Sequence, residues 1–156
     1  VGFFYASAVL QISGRSQYAM EGDTRVVLAM TLHRHEPIAF IPTANAEASR
    51  EFYEKTLGLN FAYDDTFAMV FSLGESRTML RVIRVEAFTP QPFAIFGWES
   101  KDVAADVKAL AANGIEFLRF HFFEQDELGI WTAPNGNQVA WFKDPDGNTL
   151  SISNHD

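Results

Sequence analysis

The order strand, helix, three strands occurs twice along this chain, and that weak internal repeat constrains the fold more than any single residue does. The first copy opens with PIAFIPT at 37–43, an apolar run of the length of a buried strand. Asn45 offers a side chain able to cap the helix that follows, and the helix spans 46–57. In it Ala48, Phe52 and Leu57, with Tyr53 alongside, fall near helical spacing, while Glu47, Arg50, Glu51, Glu54 and Lys55 can face water. Gly58 supplies the left-handed stop. Strands are expected at 60–63, 67–73 and 78–85, separated by turn-rich segments. After a loop holding Pro90 and Pro92, the order returns. A strand at 93–99 leads to Ser100 as a cap, a helix at 102–113 and a stop at Gly114. Further strands are expected at 116–122, 129–133, 138–143 and 149–153, with Asn135-Gly136 and Asp146-Gly147 as strong turn signals.

The 156 residues suit one domain, and 47% hydrophobic content is enough for one substantial core. The repeat places that domain at 37–154, with modules at about 37–86 and 92–154. Residues 1–36 form an N-terminal extension of no evident period, and Met30 followed by a polar run marks 1–29 as lying upstream of the domain. Its longest apolar stretch, 1–10, is too short to span a bilayer, so no membrane segment is expected. The absence of cysteine excludes disulfides, zinc-thiolate sites and thiol nucleophiles, and favours the cytoplasm. A net charge of −8 argues against nucleic acid, whose binding draws on Lys and Arg at the phosphates. A neutral or cationic small molecule suits the balance better.

Three local sequences go further. ANAEASREFYEKTLGL at 44–59, with its SxxFYxxxLGL pattern, DVKALAANGIEF at 106–117 and WFKDPDGNTLSI at 141–152 resemble the vicinal-oxygen-chelate superfamily, the group of glyoxalases, bleomycin-resistance proteins and extradiol dioxygenases. The resemblance covers about 37–154. It implies an α+β fold in which two paired βαβββ modules form curved mixed sheets around a cleft, and a homodimer. The DPDGN turn itself reads as geometry: Pro145 presets φ, Asp146 and Gly147 complete the reversal, and the aspartates serve the backbone.

Metal-dependent members of that superfamily draw ligands from the first and last strands of each module. The matching positions here are Ile38, Leu80 or Arg81, Ile95 and Ser151, and none supplies a carboxylate or imidazole. No metal site is therefore expected. His33 and His35 share one face only if their segment is extended, and His121 and His155 stand apart from any ligand set. Without a Lewis acid the simplest function is metal-independent binding of a small molecule, aromatic or cationic, of the sequestration or resistance type. Phe40, Phe67, Met69, Phe96, Trp98, Trp131 and Trp141 are the candidate lining of a hydrophobic cleft, and about half of such a set is expected to be ordinary core. The alternative is a glyoxalase-like lyase or isomerase, or a dioxygenase-type enzyme, with a divalent metal held elsewhere or with Glu99, Arg81 and His121 as acid, base or anion clamp. A structural protein with no ligand is the third possibility.

Overall fold

A computed structural model describes residues 31–75 and 78–155, and the expectations for 1–29 lie outside the described residues. Thr31–Arg34 form a short 3₁₀ turn. From residue 36 onward the chain is one unit. Its first module runs β1 (Ile38–Thr43), α1 (Ala46–Glu51), β2 (Asn60–Asp64), β3 (Ala68–Leu73) and β4 (Thr78–Arg84). The second runs β5 (Ala94–Glu99), α2 (Val103–Ala112), β6 (Trp131–Thr132), β7 (Gln138–Lys143) and β8 (Thr149–Ser153).

Both modules make the same sheet: β1-β4-β3-β2 in one and β5-β8-β7-β6 in the other. The first strand of each module pairs parallel to the last, and the remaining pairs are antiparallel. Strand alternation then sorts the side chains. Ile41, Phe71, Leu80 and Val82 point to the helix-covered side of the first sheet, and Ala140, Phe142, Leu150 and Ile152 to that of the second. These residues join Phe52 and Tyr53 beside α1, and Val103 and Val107 of α2, in one core. Each fully buried large side chain there contributes about 1.5–3 kcal/mol relative to exposure.

Local chemistry explains the helices. The Asn45 side chain accepts from the Ala48 amide, as a cap should. Past Glu51 the helix widens into a π turn at Phe52–Thr56, closed by the Leu57 amide on the Phe52 carbonyl at 2.9 Å. Both Phe52 and Tyr53 are buried in it, and Gly58 at φ 70° ends the run. At α2 the cap is Asp102 rather than the expected Ser100: its carboxylate accepts from the Ala105 amide. Ser100 instead accepts from the Asp102 amide and donates to Asp106.

The expectation of curved sheets around a cleft is overturned. Each sheet is an open array of four short strands, with β1 and β2 as edges of one and β5 and β6 of the other. Among the described residues no ladder joins the two sheets or closes either of them. Closing a sheet requires its strands to tilt and stagger until the last pairs with the first, and β1 does not pair with β2 in one array nor β5 with β6 in the other. The strand expected at 116–122 is also missing: only Phe117 bridges to Phe142, and the chain then turns away. The strand expected at 129–133 shrinks to two residues. No described helix is long and apolar enough to cross a membrane.

Candidate functional site

The modules are held together by polar side chains of the DPDGN turn. Asp146 reaches from the second module to the first, accepting from the Thr43 hydroxyl at 2.6 Å, the Ser49 hydroxyl at 3.0 Å and the Ala44 amide at 2.9 Å. Asp144 accepts from the Tyr53 hydroxyl at 2.8 Å, from the Asn148 side chain at 2.8 Å, and from the amides of Asp146 and Asn148. Asn148 also donates to the Pro42 carbonyl. Burial, with Asp144 beside it, pushes the Tyr53 hydroxyl above its ordinary range. Burial also raises Asp144, against the lowering by its donors. Sequence reasoning assigned both aspartates to the backbone and missed this bracket. The signal was present in the two motifs, SxxFY and DPDGN, whose polar residues meet here.

The face of each sheet turned away from the core is where a ligand can reach. On the second sheet it carries Trp131, Val139, Trp141 and Ser151. The segment that was expected to be a strand folds over this face as a loop. Phe123 stacks on Trp141 at 5.5 Å between centroids and 7° between planes, and lies against Trp131 at 4.6 Å. Phe120 meets Trp141 edge-on at 5.4 Å. The Gln125 side chain fixes the loop from within, accepting from the Phe120 amide and donating to the Leu118 and Gly129 carbonyls. A hollow of about 280 Å³ beside Trp131 is floored by Val139, Ser151 and Ser153 and edged by His155.

On the first sheet Ile38 and Phe40 stand half exposed on the outer face, and Phe67, 72% exposed, lies in the turn before β3. Arg81 shares the outer face but is committed: it donates to Asp65 at 2.7 Å, which also accepts from the Phe67 and Ala68 amides. The Arg81 bond and those amides hold the Asp65 carboxyl below its usual range.

The seven candidate lining residues are therefore not brought together. Met69, 1% exposed, is core. Phe96 and Trp98 lie on the helix-facing side of the second sheet, where Trp98 stacks on Phe142 at 6.4 Å. Trp131 and Trp141 share the outer face of that sheet, and Phe40 and Phe67 belong to the first module. Nor do the catalytic candidates meet. Arg81 is in β4 and Glu99 ends β5, while His121 is exposed in a turn, not a strand, with its ring against Phe122.

The donor set does not fit a metal ion. Ile38, Arg81 and Ser151 lie on outer faces, Leu80 points into the core, and Ile95 falls at an irregularity in the β5–β8 register. A serine hydroxyl and a guanidinium already bonded to Asp65 are no ligand set for a divalent ion. No group of three His, Asp or Glu side chains converges among the described residues. His33 falls within the 3₁₀ turn and His35 just after it, which removes the extended geometry their pairing required.

The family model of the Glyoxalase/Bleomycin resistance protein/Dioxygenase superfamily matches residues 31–152, and the chain belongs to that superfamily. Among solved structures it is similar to a superfamily member from Sphaerobacter thermophilus, at 19% identity and a TM-score of 0.61, covering 78% of this chain and 97% of that one. A bleomycin-binding protein solved with bleomycin matches at 19% identity and 0.61, covering 78% and 99%. A lactoylglutathione lyase from Agrobacterium tumefaciens matches at 19% and 0.55, covering 75% and 90%. No curated protein matches the sequence. A binding protein and an enzyme thus share this fold, and the fold alone does not choose between them.

Proposed function

We propose that residues 37–154 bind a small, flat, apolar molecule without a metal ion, as a sequestering protein of the cytoplasm. The observation that carries this reading is the aromatic surface on the outer face of the second sheet, where Trp131, Trp141 and Phe123 lie ring against ring beside an open hollow. Such rings offer large contact area with few rotatable bonds, and a planar ligand can slide onto or between them. Ser151 and Ser153 at the floor supply hydroxyls for orientation. The bleomycin-binding relative supports binding as an activity of this fold. A second copy of the chain, covering the apolar outer face of the first sheet at Ile38 and Phe40 and leaving the Trp131 surface to the ligand, completes the proposal as a homodimer.

The test is twofold. Bleomycin and a panel of flat aromatic compounds are titrated against intrinsic tryptophan fluorescence, and the protein's metal content is measured after incubation with manganese, iron, nickel, cobalt and zinc and desalting. Saturable quenching without turnover, weakened roughly tenfold by Trp141→Ala through loss of about 1–1.5 kcal/mol of stacking, is expected. Stoichiometric retention of one metal would instead favour the enzyme reading. Sedimentation velocity measures the dimer.

A further inference from the structure

We propose that Glu99 selects the charge of the outer-face ligand, so that the flat molecule bound there carries one ammonium group on a short arm. The inference rests on the outer-face reading above and adds the ligand class to it. Strand register places the carboxylate. Glu99 pairs with Ser153, Ser153 with Val139 and Val139 with Trp131, so these four residues form one row across the second sheet. The next row on the same face is Gly97, Ser151 and Trp141. Trp98 and Ile152 lie between the two rows and point the other way, toward the core. With neighbouring strands about 4.8 Å apart, Glu99 stands one strand beyond the serines that floor the hollow and roughly 10 Å from β7, which carries Trp141. That span suits an arene with a two-carbon ammonium arm.

The polar groups of this face are free to serve a ligand. The Glu99 side chain is exposed and makes no hydrogen bond or ion pair with another described residue, Lys101 included. The Ser151 and Ser153 hydroxyls, both partly exposed, likewise bond no other described residue. An ammonium brings three donors and no acceptor, and a carboxylate beside two hydroxyl oxygens answers it with acceptors. Lys143, the lysine of this face, lies four residues from Val139 along β7, where it donates to the Gly147 carbonyl at 2.8 Å and the Thr149 hydroxyl at 2.9 Å. It is bound there and not to Glu99. Because Gly97 has no side chain, the Ser151 hydroxyl leans over it, and the row from Trp141 to β5 carries nothing larger. The indoles of Trp131 and Trp141 thus take the arene, and their ring faces also favour a cation nearby. An anionic arm would meet Glu99 as like charge.

Probes of one shape separate charge from stacking: 2-(2-naphthyl)ethylammonium, the neutral 2-(2-naphthyl)ethanol and the anionic 2-naphthylacetate. Each is titrated into the full chain at low salt while the indole N–H resonances of Trp98, Trp131 and Trp141, assigned by Trp→Phe variants, are followed. The ammonium should move the Trp131 and Trp141 signals saturably and leave Trp98 in place. It should bind roughly fivefold more tightly than the alcohol, as one partly screened charge contact implies, and the acetate more weakly than the alcohol. Glu99→Gln should bring the ammonium to the affinity of the alcohol, and high salt should narrow the same gap in the wild type. Glu47→Gln removes an equal charge from α1 of the first module and should change the ammonium's affinity by less than about twofold. An ammonium bound no more tightly than the alcohol, a preference that survives Glu99→Gln, or an equal loss in Glu47→Gln would each overturn the proposal and leave the outer-face reading standing. Movement of Trp98 alone, or binding by none of the probes, would also sink it, and the outer-face reading with it if bleomycin and the wider panel fail too.

Discussion

Replacing Asp146 by alanine isolates the bracket between the modules. The carboxylate accepts from two side-chain hydroxyls and one amide, and the hydroxyls belong to Thr43 at 1% and Ser49 at 0% exposure. A hydrogen bond to a charged acceptor contributes about 1.5–3 kcal/mol, but three bonds to one group are not additive. The Thr43 and Ser49 hydroxyl oxygens lie 2.9 Å apart, so in the variant one can donate to the other and only one of the two is left short of an acceptor. The expected cost is about 3 kcal/mol, or roughly 10 °C in Tm for a domain of this size. Asp146→Asn should recover about half, because an amide keeps one acceptor and the hydroxyls can turn to accept from its nitrogen. Urea unfolding followed by circular dichroism, at constant m, measures both. A double-mutant cycle with Thr43→Val should show coupling of about 1–2 kcal/mol. A cost below about 0.5 kcal/mol, or additive single effects, would refute the view that this carboxylate joins the modules.

Tyr53→Phe removes the buried donor to Asp144 and should cost about 1–2 kcal/mol by the same assay, more than a surface hydroxyl would. Because burial holds Asp144 above the ordinary 3.8, the folded chain takes up this proton before the unfolded chain as pH falls. Its share of stability is present below the unfolded value and lost as pH rises through the folded one. The stability of the wild type relative to Asp144→Asn should therefore decline from about pH 4 upward, and a rising difference would show that the donors outweigh burial. Gly97→Ala would bring a Cβ against the Ser151 hydroxyl and to 3.0 Å from its carbonyl oxygen, costing about 1–3 kcal/mol. Ser151→Ala in the same chain should relieve part of that cost, since the hydroxyl is gone while the carbonyl remains.

Much of the strand order was legible because period-two alternation and turn residues act locally. The apolar run at 38–43, the cap at Asn45 and the stop at Gly58 need no distant partner to work. What failed depended on tertiary context. The segment 116–122 has the aromatic content of a strand, yet Phe120, with Phe123 just beyond it, packs on Trp141, and Gln125 bonds the Phe120 amide and the Leu118 carbonyl that a ladder would have paired. The candidate lining dispersed for a related reason. Alternation places a side chain on one face or the other only once register is known, and a shift of one residue exchanges the two sets. Met69 and Phe67 differ by two positions, but Phe67 precedes the strand and so escapes the burial that Met69 receives.

The motifs that made the superfamily recognisable are also the two halves of the bracket. Ser49 and Tyr53 of SxxFY meet Asp146 and Asp144 of DPDGN, and all four are bound to one another or to backbone. A group whose hydrogen bonds are spent within the fold has little left for a ligand. The motifs therefore report how the modules assemble, and they say nothing about what the protein takes up. The proposed ligand surface, Phe123 against Trp131 and Trp141 on the outer face of the second sheet, carries no such motif. A relative with an intact bracket and different side chains at those places would keep the fold and change the ligand, which is how one scaffold can serve both a bleomycin-binding protein and a lyase.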